Sequence, residues 1–448
     1  MGKAIAAGWK GLGLLLAAVA VGHLPALWAG FVFDDRNDVT HNPSALAETF
    51  ADRLGVTVRP LLKASYALQD ALHGLSPVGY HAVNLTLHLA AVALVALLIR
   101  QALRLAGHAA ERADRVAGLA TALWALHPAL TDTVTYVSGR SVGMSSVLLL
   151  IALLAVTAEK PRPLVGLVAA SLAPLARETA LIAPVLLLVW QATVGRRQPD
   201  RLRRAVPVWA GAALAAAVLA ALPAHRELVG FSLDQRGPLD ALRANLFAIP
   251  EILRLWLEPW RISVLPAQPV VQGWTDAATL LRLLALLALA GGALALRRRL
   301  PLVALAILWT LVALLPGNSV IWRVDPVALR PLYLAGIGLS LGLALVLSRL
   351  RAGALLGLPL VLALGAMTYQ RAGLYADDVT LFADAAARAP EDARAQAMLG
   401  LALANAGRLD EARQSLERAL ILDPVSREAG NALRLLSAGG SIYTPGAP

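Results

Sequence analysis

No cysteine occurs in the 448 residues. Disulfides, Cys-ligated zinc and iron–sulfur clusters are therefore excluded. Charge is also sparse: 15% of the residues are Asp, Glu, Lys or Arg, against 58% hydrophobic, and mean hydropathy is +0.64. That balance excludes a soluble globular domain and leaves a polytopic membrane protein. Acidic residues are the scarcer sign, 29 Asp and Glu against 40 Lys and Arg, for a net charge of +11. The arginines sit in short loops between apolar runs, where they act as topology signals. Aromatics make up 5% of the chain, and no basic stripe interleaves with stacking rings, so no nucleic-acid partner is expected. The chain has neither an HxxxH nor a DxD pattern, so no metal is expected, and no cofactor. Repeated halves with helix breaks at midspan, the mark of many transporters, are missing as well.

What is present is organised around Phe31-Val-Phe-Asp-Asp-Arg-Asn-Asp38, which follows the first apolar run, Gly11 to Gly30, without a linker. Ionisable groups near membrane depth lose solvation, so Asp34 and Asp35 are candidates for chemistry rather than decoration. The bland reading is a polar flank that ends a span. Lys3 and Lys10 place the N-terminus in the cytoplasm, and the first run reads as a retained signal-anchor. Further apolar runs cover His81–Ile99, Val116–His127, Val142–Ala158, Ala205–Leu222, Leu280–Leu296, Pro301–Leu315, Pro331–Leu347 and Gly353–Thr368. Leu164 to Val194 carries basic residues at both ends, so it must cross twice, in short passes that turn at Ala176-Arg177-Glu178-Thr179. The expected bundle is all-α with about eleven spans, N-terminus inside and C-terminus outside. Between spans, Arg59-Pro60 starts a helix that ends at His73-Gly74. Leu242 to Trp260 reads as an amphipathic helix on the outer interface, anchored by Trp256 and Trp260.

On this topology Asp34, Asp35, Arg59, His81, Asp132, Arg140, Glu178, Arg323 and Arg330 share the external face. Cytoplasmic loops carry mostly Arg and Lys. A one-sided polar cavity suits an enzyme that meets a lipid-borne substrate at the outer leaflet. Arg177 and Glu178 would lie below that surface, where a charged pair is tolerated only inside the bundle or beside a wet cavity.

From Tyr369 the composition turns to Ala, Arg, Asp and Glu. Ala393 to Pro424 reads as one tetratricopeptide repeat, with Leu399-Gly400, Gly407, Ala412, Ala419-Leu420 and Pro424 at the pattern's positions. Ala383–Ala389 is the end of a degenerate repeat and Arg427–Leu436 a capping helix. Independent stability takes at least about three repeats, so this tail must lean on the membrane domain or on another chain. The domains expected are 1–368 for the membrane bundle, 369–438 for the repeat tail and 439–448 for a disordered end.

Several blocks resemble, in order, the GT-C superfamily of polyprenyl-phosphate-sugar-dependent glycosyltransferases. The likeness is particularly to membrane O-mannosyltransferases with C-terminal tetratricopeptide repeats and to their bacterial relatives. The blocks are Phe33-Asp34-Asp35 with Asn42-Pro43, Arg59-Pro60-Leu61, Gly79-Tyr80-His81 through His88, His127-Pro128 through Gly139-Arg140-Ser141, Arg177-Glu178-Thr179, and Arg330-Pro331-Leu332-Tyr333-Leu334. Arg177 stands where the family usually has Lys, and the Pro that closes the last block is absent.

The resemblance implies inverting transfer of a sugar from a polyprenyl-phosphate to an acceptor hydroxyl on a protein, lipid or glycan. Asp34 or Asp35 would take the hydroxyl proton, which is worth about 10²–10⁴ in rate. Arg59, Arg140, Arg177 and Arg330 are candidates for the leaving phosphate, with Arg140 and Arg330 foremost, since a guanidinium grips phosphate with paired donors. Glu178, His81 and Asp132 would line the cavity, with Arg177–Glu178 equally readable as an internal ion pair. The partners implied are a polyprenyl-phosphate-linked sugar, membrane lipid, and a protein acceptor or partner met through the repeat tail. The rival reading is a non-catalytic membrane scaffold that recruits envelope partners through the tail. The Ala-Leu-Arg-rich composition points to a high-GC bacterium, which would put the protein in the inner membrane and its outer face in the periplasm or outside the cell.

Overall fold

The computed structural model describes residues 2–36, 39, 57–235, 237–318 and 325–437. Asp38, Asn42, Pro43, Arg323 and the expected disordered end at 439–448 lie outside the described residues. The described chain is built of helices and connecting loops. They are α1 (Gly2–Gly22), α2 (Pro60–His73), α3 (Pro77–Leu105), α4 (Ala110–Ala125), α5 (Thr131–Val134), α6 (Arg140–Thr157), α7 (Pro163–Ala176), α8 (Ala183–Ala192), α9 (Arg201–Ala221) and α10 (Pro223–Gln235). They continue with α11 (Pro238–Leu257), α12 (Ala277–Leu296), α13 (Pro301–Leu314), α14 (Leu332–Leu347), α15 (Gly353–Gly373), α16 (Asp378–Arg388), α17 (Ala393–Asn405), α18 (Leu409–Leu422) and α19 (Arg427–Ser437).

Local chemistry explains many of the boundaries. Proline occupies the first turn of α2, α3, α7, α11 and α13, where its missing N–H has no intrahelical partner to lose. Asp276, Asp377 and Asp392 cap α12, α16 and α17 by accepting backbone N–H groups. Gly407, at φ 78°, takes the left-handed conformation that ends α17 and lets α18 fold back on it.

Among the described residues, five helical stretches are long and apolar enough to cross a membrane: Pro77–Leu105, Val137–Thr157, Arg201–Ala221, Ala277–Leu296 and Leu355–Ala376. Shorter apolar helices accompany them at Gly11–Gly22, Pro163–Ala176, Glu178–Ala192, Pro301–Leu314 and Leu332–Leu347. The break expected at Arg177-Glu178 is present, leaving α7 with 14 residues and α8 with 10. The composition shift at Tyr369 falls inside a helix, because α15 runs on to Gly373.

The core lies where α3, α4, α6, α13 and α14 pack together. Trp124, Tyr333 and Trp190 are fully buried there. The Trp124 indole N–H donates to the Tyr333 carbonyl at 2.8 Å, and the Tyr333 hydroxyl meets His88 Nδ1 at 2.9 Å, so the polar tips are satisfied. Trp256 is buried as well, its neighbour the His127 ring stacked at 3.6 Å and 5°. That differs from the outer anchor the sequence implied, because α11 turns Phe247, Ile252 and Trp256 into the bundle and leaves Trp260 exposed. The C-terminal helices α16–α19 stack in sequence on one another. They press on the acidic turn and on the 264–265 loop through Phe382, Ala385 and Ala395.

Candidate active site

The acidic turn and the Tyr136-Val-Ser-Gly139 segment build one another. Phe33 sits at φ 51°, in the left-handed region, where a side chain costs about 1–2 kcal/mol. This places Asp34 and Asp35 in opposite settings. Asp35 is fully buried. Its Oδ1 accepts from the Ser138 amide at 2.7 Å and the Ser138 hydroxyl at 2.8 Å. Its Oδ2 accepts from the amides of Val137 at 3.2 Å and Val32 at 3.4 Å. Burial pushes its carboxyl up to about 7, against the pull of these four hydrogen bonds. Every donor comes from the protein, so Asp35 ties two chain segments together.

Asp34 is half-buried and stands on a cleft of about 140 Å³. Its backbone N–H donates to the Tyr136 hydroxyl at 2.8 Å. Around the cleft are Phe33, Asp132, Tyr136, Arg330, Asp325 and Arg394, with Val264–Pro266 and Gln268 forming the outer wall. Arg330 lies 3.4 Å from Asp132 and over the Tyr136 ring at 5.0 Å. Burial works against its charge, but Asp132, Tyr136, Asp34 and Asp35 together outweigh that and raise its pKa. Nearer the rim, Arg394 pairs with Asp325. The 325–330 segment is held by side chains of other segments: Gln268 bonds both the N–H and the carbonyl of Val327, at 3.0 and 3.2 Å, and Asn318 donates to the Pro326 carbonyl at 2.8 Å.

Arg330 also lines a second, smaller cleft of about 30 Å³. Its apolar lining includes Val142, Ile182, Ala313 and Leu334, and its polar groups are Ser145, Ser146, Thr179, Arg177 and Arg330. Arg330 and Arg177 therefore face a partly apolar space between helices, while Arg330 also faces the polar cleft of Asp34.

The other expected residues do not line these two clefts. Arg140 is fully buried: Nε donates to Asn84 Oδ1 at 2.9 Å, Nη2 to the Tyr80 carbonyl at 3.0 Å, and the guanidinium lies 4.6 Å from the Tyr66 ring centre. Arg59 grips Glu178 with two hydrogen bonds of 3.0 Å each. The Arg59–Glu178 pair joins α2 to the break between α7 and α8; the Arg177 charge also acts on Glu178, and Arg177 donates to the Ser141 hydroxyl at 2.9 Å. His81 is fully buried beside Ala29, Gly30 and Thr135.

Gly139 is required by contact: a Cβ there would stand 2.5 Å from the Thr133 carbonyl oxygen and 2.6 Å from that of Asp132. Tyr136, Gln268, Asp378 and Arg394 escaped the sequence reading. Tyr136 lies inside the His127–Ser141 block and Arg394 inside the repeat-like segment, but neither was singled out there, and all four meet at the site only through folding. Among the described residues, no group of three or more His, Cys, Asp or Glu could hold a metal ion.

No protein-family model and no solved structure matches the chain. Curated proteins do. The chain is 23% identical to the protein O-mannosyl-transferase F38B6.6 of Caenorhabditis elegans over 453 aligned residues, 93% of this chain and 63% of that protein. It is 33% identical to the protein O-mannosyl-transferase Tmtc1 of Drosophila melanogaster over 215 residues, 43% of this chain and 24% of that protein. It is 31% identical to the mouse protein O-mannosyl-transferase TMTC3 over 174 residues, 36% of this chain and 18% of that protein. The chain thus spans less than two thirds of the length of these relatives, and it is similar to proteins named as protein O-mannosyl-transferases.

Proposed function

We propose that the protein transfers a sugar, mannose by its relatives' names, from a polyprenyl-phosphate to a protein hydroxyl at the outer face of the membrane. The observation that carries this reading is that Asp34 and Arg330 line one cleft, while Arg330 also lines a second, partly apolar cleft. Inversion needs a base on one face of the sugar and a stabilised leaving group on the other, as in inverting glycoside hydrolysis with the acceptor in place of water. Asp34 takes the proton of the acceptor hydroxyl while its oxygen bonds to the anomeric carbon. The bond from that carbon to the phosphate oxygen breaks, and the phosphate leaves carrying the electron pair. Arg330 meets the developing charge with paired donors. Arg177, which lines the second cleft, is a further cation for the phosphate as the prenyl chain lies between helices. Asp35 holds the scaffold and makes no contact with the reacting atoms. In this reading the bundle crosses about eleven times and the repeat tail stands on the outer side.

The test is direct. Membranes containing the full chain are given radiolabelled polyprenyl-phosphate mannose, glucose and galactose in parallel, and label is followed into protein, lipid and water-soluble fractions. Label from the mannose donor should enter protein. If no donor is consumed, and Asp34→Asn complements a deletion as well as wild type does, the scaffold reading replaces this one.

A further inference from the structure

The acidic turn is held from a distance. Asp378 opens α16, but the capping duty there belongs to Asp377, which accepts the Thr380 amide at 2.8 Å. The Asp378 carboxylate instead turns onto the other end of the chain. Its Oδ1 accepts the Phe33 amide at 2.8 Å, and its Oδ2 pairs with Arg36 Nη2 at 2.8 Å. One carboxylate therefore brackets the turn, from the residue before Asp34 to the residue after Asp35. Phe33 is the residue whose backbone is in the left-handed region, a conformation a non-glycine residue keeps only when its surroundings impose it. Its ring is seated edge-on against Phe382 of α16 at 5.6 Å. The Gly30 amide, just upstream, donates to the Ala376 carbonyl at 3.1 Å. Arg394 of α17 closes the same cleft at its rim.

We propose that Asp378 is a positioning residue that keeps Asp34 in the cleft, so that the C-terminal helices are a working part of the site. The inference rests on the role given to Asp34 above. Asp378 touches neither sugar nor phosphate. It fixes the backbone on both sides of the acidic pair, and the direction in which Asp34 points follows from that backbone.

The absence of cysteine makes the test clean. Asp34→Cys puts a single thiol in the full chain, and its reaction rate with a charged, membrane-impermeant methanethiosulfonate reports how far position 34 is exposed. Adding Asp378→Ala should raise that rate at least about tenfold, the population shift expected when one charge-assisted hydrogen bond is lost. Adding Asp378→Asn should give a smaller rise, because the amide oxygen still accepts the Phe33 N–H. With aspartate restored at position 34, Asp378→Ala should lower kcat about tenfold or more while the KM for polyprenyl-phosphate mannose stays put, and Asp378→Asn should recover part of it. An unchanged labelling rate in folded Asp378→Ala and Asp378→Asn protein overturns the proposal. So does a loss of activity that only tracks the loss of folded protein. The labelling arm needs no turnover: a silent wild type with the expected labelling change sinks the transferase reading and leaves the clamp standing.

Discussion

Asp34 and Asp35 are neighbours in sequence with opposite surroundings, so one conservative change must act on different quantities. Asp35→Asn keeps the side chain's shape but exchanges an accepting oxygen for a donating amide. The amide oxygen can keep the two bonds from Ser138, at 2.7 and 2.8 Å. The NH₂ group then faces the N–H of Val137 and of Val32, whose acceptor distances are 3.2 and 3.4 Å. Two buried donors lose their partner, at about 1–3 kcal/mol each, so the fold should lose roughly 2–6 kcal/mol. Asp34 is half-buried at the cleft, and Asp34→Asn should change stability by about 1 kcal/mol or less. It should lower kcat by about 10²–10⁴, the usual worth of a general base. Thermal unfolding in detergent at neutral pH, followed by tryptophan fluorescence, reads the first quantity. Transfer from radiolabelled polyprenyl-phosphate mannose per folded molecule reads the second. An Asp35→Asn protein that melts with wild type would refute the hydrogen-bond reasoning. Normal turnover by Asp34→Asn would refute the base, and a stable but inactive Asp35→Asn would exchange the two roles.

Three further outcomes follow from the same geometry. Arg330→Lys should lose about tenfold or more in kcat/KM for the donor, since one ammonium cannot reproduce the paired donors of a guanidinium; a donor titration reads this, and full activity would remove Arg330 from the phosphate. Gly139→Ala should destabilise the fold by about 1–3 kcal/mol and reduce transfer, because the new Cβ forces the Asp132 and Thr133 carbonyls aside; unchanged melting and turnover would count against that close contact. Asp35 should make stability pH-dependent with a definite sign. Its folded pKa is raised from 3.8 to about 7, so the folded chain keeps a proton that the unfolded chain releases. Its contribution is therefore full below about pH 4 and declines as pH rises through about 7, by a total on the order of 4 kcal/mol. Subtracting the melting profile of Asp35→Asn from that of wild type isolates this slope, and a difference that rises with pH would reverse the assignment.

Much of this protein was legible as a string because the signals involved are local. Apolar runs and Pro at first turns act within a few residues, and so most helices fall close to where sequence patterns put them, whereas α10 at Pro223–Gln235 had no apolar run to mark it. The repeat-like segment likewise becomes two antiparallel helices, α17 and α18, followed by α19. The charged blocks could be found in order but not given roles. Asp35 and Ser138 are 103 residues apart, and Phe33 and Asp378 are 345 apart. Whether a carboxylate faces a cleft or four protein donors is a property of that long-range closure, which no spacing encodes. The same holds for the arginines: Arg59, Arg140, Arg177 and Arg330 look alike in sequence, yet folding gives Arg59 to Glu178, stacks Arg140 on Tyr66, and sets Arg330 between two clefts. Composition and periodicity determined that the chain is a helical membrane protein with acidic and basic blocks on its loops. Tertiary structure decided which of those charges remain beside open space, because burying a charge is tolerated only where the fold supplies its partners.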